Sequence, residues 1–111
     1  MVVELSPEAG RNLISIPRIL VIDDDSLMGE ALLTTLSRIG FNVELARTGA
    51  EGLQRLMNGE HFDMLLLDLM LPELDGWTVL SRVRGTPSTS HLPVIMLTAI
   101  TGEQHEIEML A

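Results

Sequence analysis

Apolar residues recur along this chain in two rhythms that take turns. Residues 18–23, RILVID, are a short continuous β-branched run, the pattern of a buried strand. In DDSLMGEALLTTLSRIG the period changes. Met28, Leu32, Leu36 and Ile39 return at helical spacing, Asp25 or Ser26 can cap the start, and Gly40 can stop the end. FNVELA, 41–46, alternates Phe41, Val43 and Leu45 with polar neighbours, which predicts a strand with one exposed side. Thr48 and Glu51 match a capping box that opens a short helix to about Asn58, ended by Gly59. DMLLLD, 63–68, lacks alternation, as expected of a strand covered on both faces. A helix over 76–84 follows, with Asp75 as its cap. Residues 85–92 read as loop, and PVIMLT, 93–98, as a fourth strand. Thr101 and Gln104 form a second capping box, which predicts a helix running to the end.

Strand and helix therefore alternate four times, which implies a parallel sheet with helices on both faces. Residues 1–17 read as a flexible flank, in which Ser6-Pro7-Glu8 could start a helical turn, and 18–111 as the folded domain. The 111 residues suffice for one domain, and the core must be aliphatic, because only three aromatics are present. There is no cysteine, which suits a reducing cytoplasm, and no apolar run reaches the ~18 residues of a membrane span. The N-terminus does not read as a secretory signal. A net charge of −9 argues against nucleic acid or anionic membrane as a direct partner of this segment. All seven basic residues are Arg; Lys is absent.

Ligands of open α/β sheets bind outside the carboxyl ends of the strands. Three of those ends carry polar groups here: Asp23-Asp24-Asp25, Asp68 and Thr98. If the strands are neighbours, the groups meet at one rim. Carboxylates about 4 Å apart repel by roughly 4 kcal/mol per pair at an effective dielectric of about 20. Nothing in the sequence sets a cation beside them. An all-oxygen set of this kind suits Mg²⁺ or Mn²⁺. An aspartate beside such an ion can act as a nucleophile toward phosphorus, and the Thr98 hydroxyl could hydrogen-bond the product phosphate. Taken singly, these acids would be ordinary caps and turn residues. Asp25 and Asp75 read as caps, and His61, His91 and His105 share no metal-ligand spacing and read as surface residues. Trp77 and the seven Met read as core or partly buried filler.

ILVIDDD, DMLLLDLMLPELDG and LPVIMLTA, in that order and spacing, resemble the receiver domain of bacterial two-component response regulators over residues 18–111. The resemblance implies a flavodoxin-like, doubly wound sheet of order 2-1-3-4. It also implies that Asp68 is the phosphoacceptor, that Asp23, Asp24 and Asp68 hold Mg²⁺ together with the backbone carbonyl of Met70, and that Thr98 is the switch hydroxyl. Pro72 and Gly76 match residues that shape the loop. A sensor histidine kinase or phosphotransfer protein would donate the phosphoryl group, and an output domain, such as a DNA-binding one, would receive the signal. The chain would be no enzyme beyond Mg²⁺-assisted phosphorylation and dephosphorylation of itself.

The chain departs from the family pattern at its end. The family's fifth strand and helix, its Lys and its aromatic switch residue have no counterpart, so the chain reads as a fragment of a longer regulator with an incomplete four-stranded sheet. Strand four is then expected at an edge, with apolar surface exposed beside the first helix, marginal stability and self-association through the sheet edge. One alternative is a receiver-like interaction module that never carries phosphate. A dehalogenase-like phosphatase would need an Asp two residues after Asp68, where Met70 stands. A nucleotide-binding fold would need a glycine-rich loop after the first strand, which is lacking.

Overall fold

Strands buried on both faces have to be sandwiched, and the chain does so with helices on either side of one sheet. In a computed structural model, residues 16–100 and 104–110 are described, with side chains for 16–97. The order is β1 (Arg18–Ile22), α1 (Ser26–Ile39), β2 (Asn42–Ala46), α2 (Gly49–Met57), β3 (Met64–Asp68), α3 (Gly76–Gly85), β4 (Val94–Ile100) and β5 (Gln104–Leu110). The sheet order is β2-β1-β3-β4-β5. The first four strands are parallel, in the order expected from the sequence.

Alternate residues of the strands sort the core into two layers. Leu20, Ile22, Leu65, Leu67, Val94 and Met96 pack with Leu53 and Leu56 of α2 and with Val79 and Val83 of α3. Ile19, Val21 and Leu66 face the other way, against Leu32 and Leu36 of α1. Each helix begins where a side chain takes up its free N–H groups. Asp25 accepts from Leu27 and Met28, Thr48 accepts from Glu51, and Asp75 accepts from Thr78. Gly40 ends α1 at φ 118°, a left-handed conformation that glycine adopts without strain. The Glu51 carboxylate reaches back to the N–H of Arg47 rather than of Thr48, so the capping box closes one residue early. The loop over 85–92 contains one 3₁₀ turn, Pro87–Thr89.

Several expectations change. The helix predicted from Thr101 onward is a strand: β5 pairs antiparallel with β4, from Val94↔Leu110 to Ile100↔Gln104. A strand at position four leaves one row of N–H and C=O groups unpaired, whereas a helix of about ten residues is marginal without a packing face. A return strand satisfies the row. The sheet has five strands, and β4 is not an edge, so self-association through a bare β4 edge does not follow; β2 and β5 are the outer strands. Beside the first helix, where the sequence predicts apolar exposure, lies a cleft of about 300 Å³ lined by Pro17, Ile19, Leu36, Phe41, Leu66 and Ile95; Ile19 and Leu66 are buried in it and Leu36, Phe41 and Ile95 half-buried. Ile39, expected on the inner face of α1, is exposed. The flank over 1–15 lies outside the described residues.

One contact ties this fold to the strand tips. The N–H of Gly76 donates to the Leu69 carbonyl, and a Cβ at Gly76 would stand 2.4 Å from the Asp68 carbonyl oxygen and 2.8 Å from the Leu69 Cα. Both obstacles are backbone, so neither can swing aside. Gly76→Ala is expected to destabilise the chain by about 1–3 kcal/mol, read from urea melts. It should also shift the amide resonances of Leu69 and Met70, which report the end of β3. Parent-like stability and spectra would contradict this close seat.

Candidate functional site

Parallel register brings the acids together. Ile22 pairs with Leu67, so the residues that follow, Asp23 and Asp68, leave neighbouring strands at the same height. The Asp23 N–H still donates to the Ala46 carbonyl, which holds its backbone in the sheet. Its side chain is 3% exposed. Asp24 is exposed and Asp68 is intermediate between them. One carboxylate oxygen from each lies within 4.8 Å of the others. Asp23 Oδ1 accepts the N–H of Asp25 at 2.9 Å, and Asp68 Oδ1 accepts the N–H of Met70 at 3.1 Å. Both carboxylates are thus oriented by backbone.

The electrostatics follow from that crowding. Burial is the main force pushing the Asp68 carboxyl up to about 6, and the charges of Asp23 and Asp24 push the same way, against the Met70 N–H. Burial also raises Asp23, partly offset by the N–H of Asp25. Interaction within the pair lowers Asp23 and raises Asp68. Among the described residues, no cationic side chain figures among the causes for either group. The Arg18, Arg47 and Arg55 side chains are engaged with Glu44, Glu60 and Glu30 instead. Three hard oxygen donors at different depths, with their charge uncompensated, could hold a divalent cation.

The remaining residues singled out in the sequence fall as follows. Asp25 and Asp75 are helix caps. Thr98 lies on β4 one residue beyond Leu97, the partner of Asp68 in the register; its side chain lies outside the described residues. Met70 follows Asp68 and joins Asp24, Pro72, Asp75 and Trp77 in lining a groove of about 580 Å³. In that loop Glu73 takes φ 63°, left-handed and uncommon for a residue with a Cβ. Trp77 is exposed, contrary to the expectation of burial, and so are Met57 and Met70, whereas Met96 is buried. Helical phase explains Trp77, because Gly76, Val79 and Val83 occupy the buried side of α3. His61 and His91 are exposed, as expected, and His105 lies among residues whose side chains are not described. Among the described residues, no helix is long and apolar enough to cross a membrane.

A family model described as the response regulator receiver domain matches residues 19–111. The chain is 41% identical over 92 residues to the DNA-binding dual master transcriptional regulator RpaA of Synechocystis sp., covering 83% of this chain and 38% of that protein. It is 45% identical over 82 residues to the response regulator MprA of Mycobacterium tuberculosis, covering 74% of this chain and 34% of that protein. The chain thus spans well under half the length of these relatives. Among solved structures, the N-terminal domain of a response regulator receiver protein from Methanoculleus marisnigri JR1 superposes with a TM-score of 0.73 at 40% identity, covering 78% of this chain and 69% of that one.

The raised Asp68 carboxyl gives a signed pH dependence. Its ordinary value is 3.8, and in the fold it titrates near about 6. Between the two, the folded chain binds more protons than the unfolded chain, so stability falls as pH rises through that window. The metal-free chain should melt higher at about pH 5 than at pH 7. Asp68→Asn should raise the melting temperature at pH 7 and flatten the profile. Millimolar Mg²⁺ or Mn²⁺ should recover stability at pH 7 for the parent and not for Asp68→Asn. Differential scanning calorimetry checks all three; a profile that rises from pH 5 to 7 in both variants would contradict them.

Proposed function

The chain belongs to the response regulator receiver domain family, and on that premise we propose that Asp68 accepts a phosphoryl group from a phosphohistidine. The donor is a sensor histidine kinase or a phosphotransfer protein. The observation that carries this reading is the gathering of carboxylate oxygens of Asp23, Asp24 and Asp68 within 4.8 Å of one another, with no cationic side chain among the described residues figuring in the shifts of Asp23 and Asp68.

The chain's own residues supply position and charge. Asp68 ends β3, whose Leu65 and Leu67 are wholly buried, so the carboxylate is held on a stiff support. The Met70 N–H fixes Oδ1, which leaves the second oxygen to attack phosphorus. A P–O bond to Asp68 forms as the P–N bond to the donor imidazole breaks; the imidazole leaves with the electron pair and is protonated by water. Asp23 and Asp24, with Asp68 and the Met70 carbonyl, would hold a divalent cation, Mg²⁺ or Mn²⁺. That ion, when bound, supplies charge compensation for the phosphoryl oxygens. Asp68, whose carboxyl is pushed up, must be ionised first, because only the carboxylate attacks. Water later cleaves the acyl phosphate. The chain is thereby a stoichiometric acceptor, not an enzyme acting on a separate substrate.

In this reading Thr98, one residue past the partner of Asp68 on β4, has the role of hydrogen-bonding the new phosphate and carrying the change along β4. The relatives are named as transcriptional and response regulators, which supports an output in gene regulation, with DNA contact made by a part of the protein outside this acidic segment.

Incubation with acetyl phosphate or beryllofluoride and Mg²⁺ tests the reading by intact-mass measurement. One adduct per chain is expected on the parent and none on Asp68→Asn or without metal. It should form slowly, because the chain contains no Lys to engage the phosphoryl oxygens. Equal labelling of Asp68→Asn would remove Asp68 from its role. No adduct on the parent would favour an interaction module that never carries phosphate.

A further inference from the structure

The crevice at the strand tips opens sideways into the groove of about 580 Å³ described above, and the two share Asp24. Its apolar rim faces outward: Met70 is 70% exposed and Trp77 is 54% exposed. Their apolar area gains nothing from the fold, since the core closes without them. Exposed Trp and Met beside a concavity are the side chains that most often anchor a protein partner.

Charge narrows the kind of partner. Among the described residues, the groove walls carry the carboxylates of Asp24 and Asp75 and no Arg, in a chain of net charge −9. Asp75 is held in place by its cap bond to the Thr78 N–H at 2.8 Å. A complementary surface therefore offers Arg or Lys beside an apolar side chain. The cation can lie over the Trp77 indole while its charge meets Asp75. Continuity narrows the partner again. Because the groove shares Asp24 with the acid cluster, a protein that delivers phosphorus to Asp68 must cover it, whereas a small phosphodonor need not.

We propose that Trp77 is the anchor of a docking ledge for the phosphodonor protein, which sets a basic and an apolar side chain into the groove beside its phosphohistidine. This rests on the reading of Asp68 as phosphoacceptor. Trp77 takes no part in the chemistry; it acts on encounter and on the choice of donor.

The test uses the intact chain as parent, Trp77→Ala, Trp77→Phe and Ile39→Ala. Ile39 is also a large exposed apolar residue, at the far end of α1. The probes are acetyl phosphate with Mg²⁺ and a panel of purified, histidine-phosphorylated sensor-kinase cytoplasmic portions, of which the fastest donor is used. Trp77→Ala is expected to lower kcat/KM for protein-to-protein transfer about thirtyfold, mainly through KM, the scale of one interfacial aromatic anchor. Trp77→Phe should recover most of it, Ile39→Ala should behave as the parent, and labelling by acetyl phosphate should be unchanged in all four. Thermal melts confirm that each variant is folded. Parent-like transfer by Trp77→Ala overturns the proposal. So does an equal loss with both donors, which would make Trp77 a support of the site itself. So does failure of every protein donor on a parent that acetyl phosphate labels. Failure of acetyl phosphate to label the parent would instead overturn the phosphoacceptor reading beneath it.

Discussion

Parallel pairing of β1 with β3 is the constraint from which the site follows. Once Ile22 is opposite Leu67, Asp23 and Asp68 have no way to avoid each other. A slip of β3 by one residue would separate them, but it would also turn Leu65 and Leu67 out of one core layer and Leu66 out of the other. Burying a single such side chain stabilises by about 1.5–3 kcal/mol. Like charges 4 Å apart repel by roughly 4 kcal/mol at an intermediate dielectric. Three apolar side chains in register outweigh one such repulsion, so the fold tolerates a crowded acidic rim rather than relieving it. The far end of the sheet helps to hold the same register. Arg18 and Arg55 share Glu44 and Glu60 there, over the ring of Phe62, and the Arg18 N–H binds Asp63.

Relief of the crowding is graded by depth. Asp23 is buried and tied by the Asp25 N–H, Asp68 is half-buried, and Asp24 is solvated. Burial and the neighbouring charges favour the proton on Asp68. A cation entering from the Asp24 side would displace that proton, which makes metal affinity and pH parts of a single equilibrium. The loop after β3 closes this arrangement from below. Glycine at 76 lets α3 start directly against the Asp68 and Leu69 backbone, so the helix holding the core through Val79 and Val83 also fixes the reactive strand end.

Much of this was legible in the residues. The four parallel strands, three helix caps, Gly40 and the acid trio are local patterns, and local patterns carry most of their own reasons: an Asp before a helix caps it, and an apolar run ending in Asp leaves the core there. What the pattern could not show is which face has a neighbour. Ile39 obeys the helical period of α1, yet it is exposed at the last residue of the helix. Trp77 is apolar by composition but falls on the outer side of α3, because Gly76, Val79 and Val83 take the inner one. The capping box at Thr101 and Gln104 is a valid local signal overruled by tertiary demand, as the open row of β4 took the following residues into a strand. The groove beside Asp24 was invisible because one wall, the β1 tip, is far in sequence from the loop and helix start that form the rest.

The same rim explains why partner and metal should not be independent. Without ligands, the acids resist any further negative charge, and a phosphoryl group brings negative charge to their midst. Whatever sets positive charge there, whether an ion among Asp23, Asp24 and Asp68 or a basic side chain in the groove that shares Asp24, lowers the electrostatic cost of the other's anionic cargo. The two cations also repel each other across Asp24, so each should weaken the other's binding until the phosphoryl group arrives between them. Linkage then requires the sign to reverse on phosphoryl transfer, because the added anion favours both. If Asp68 is the phosphoacceptor proposed above, uncompensated carboxylates would hold donor and metal better together than singly, a physical reason for the transfer to need both.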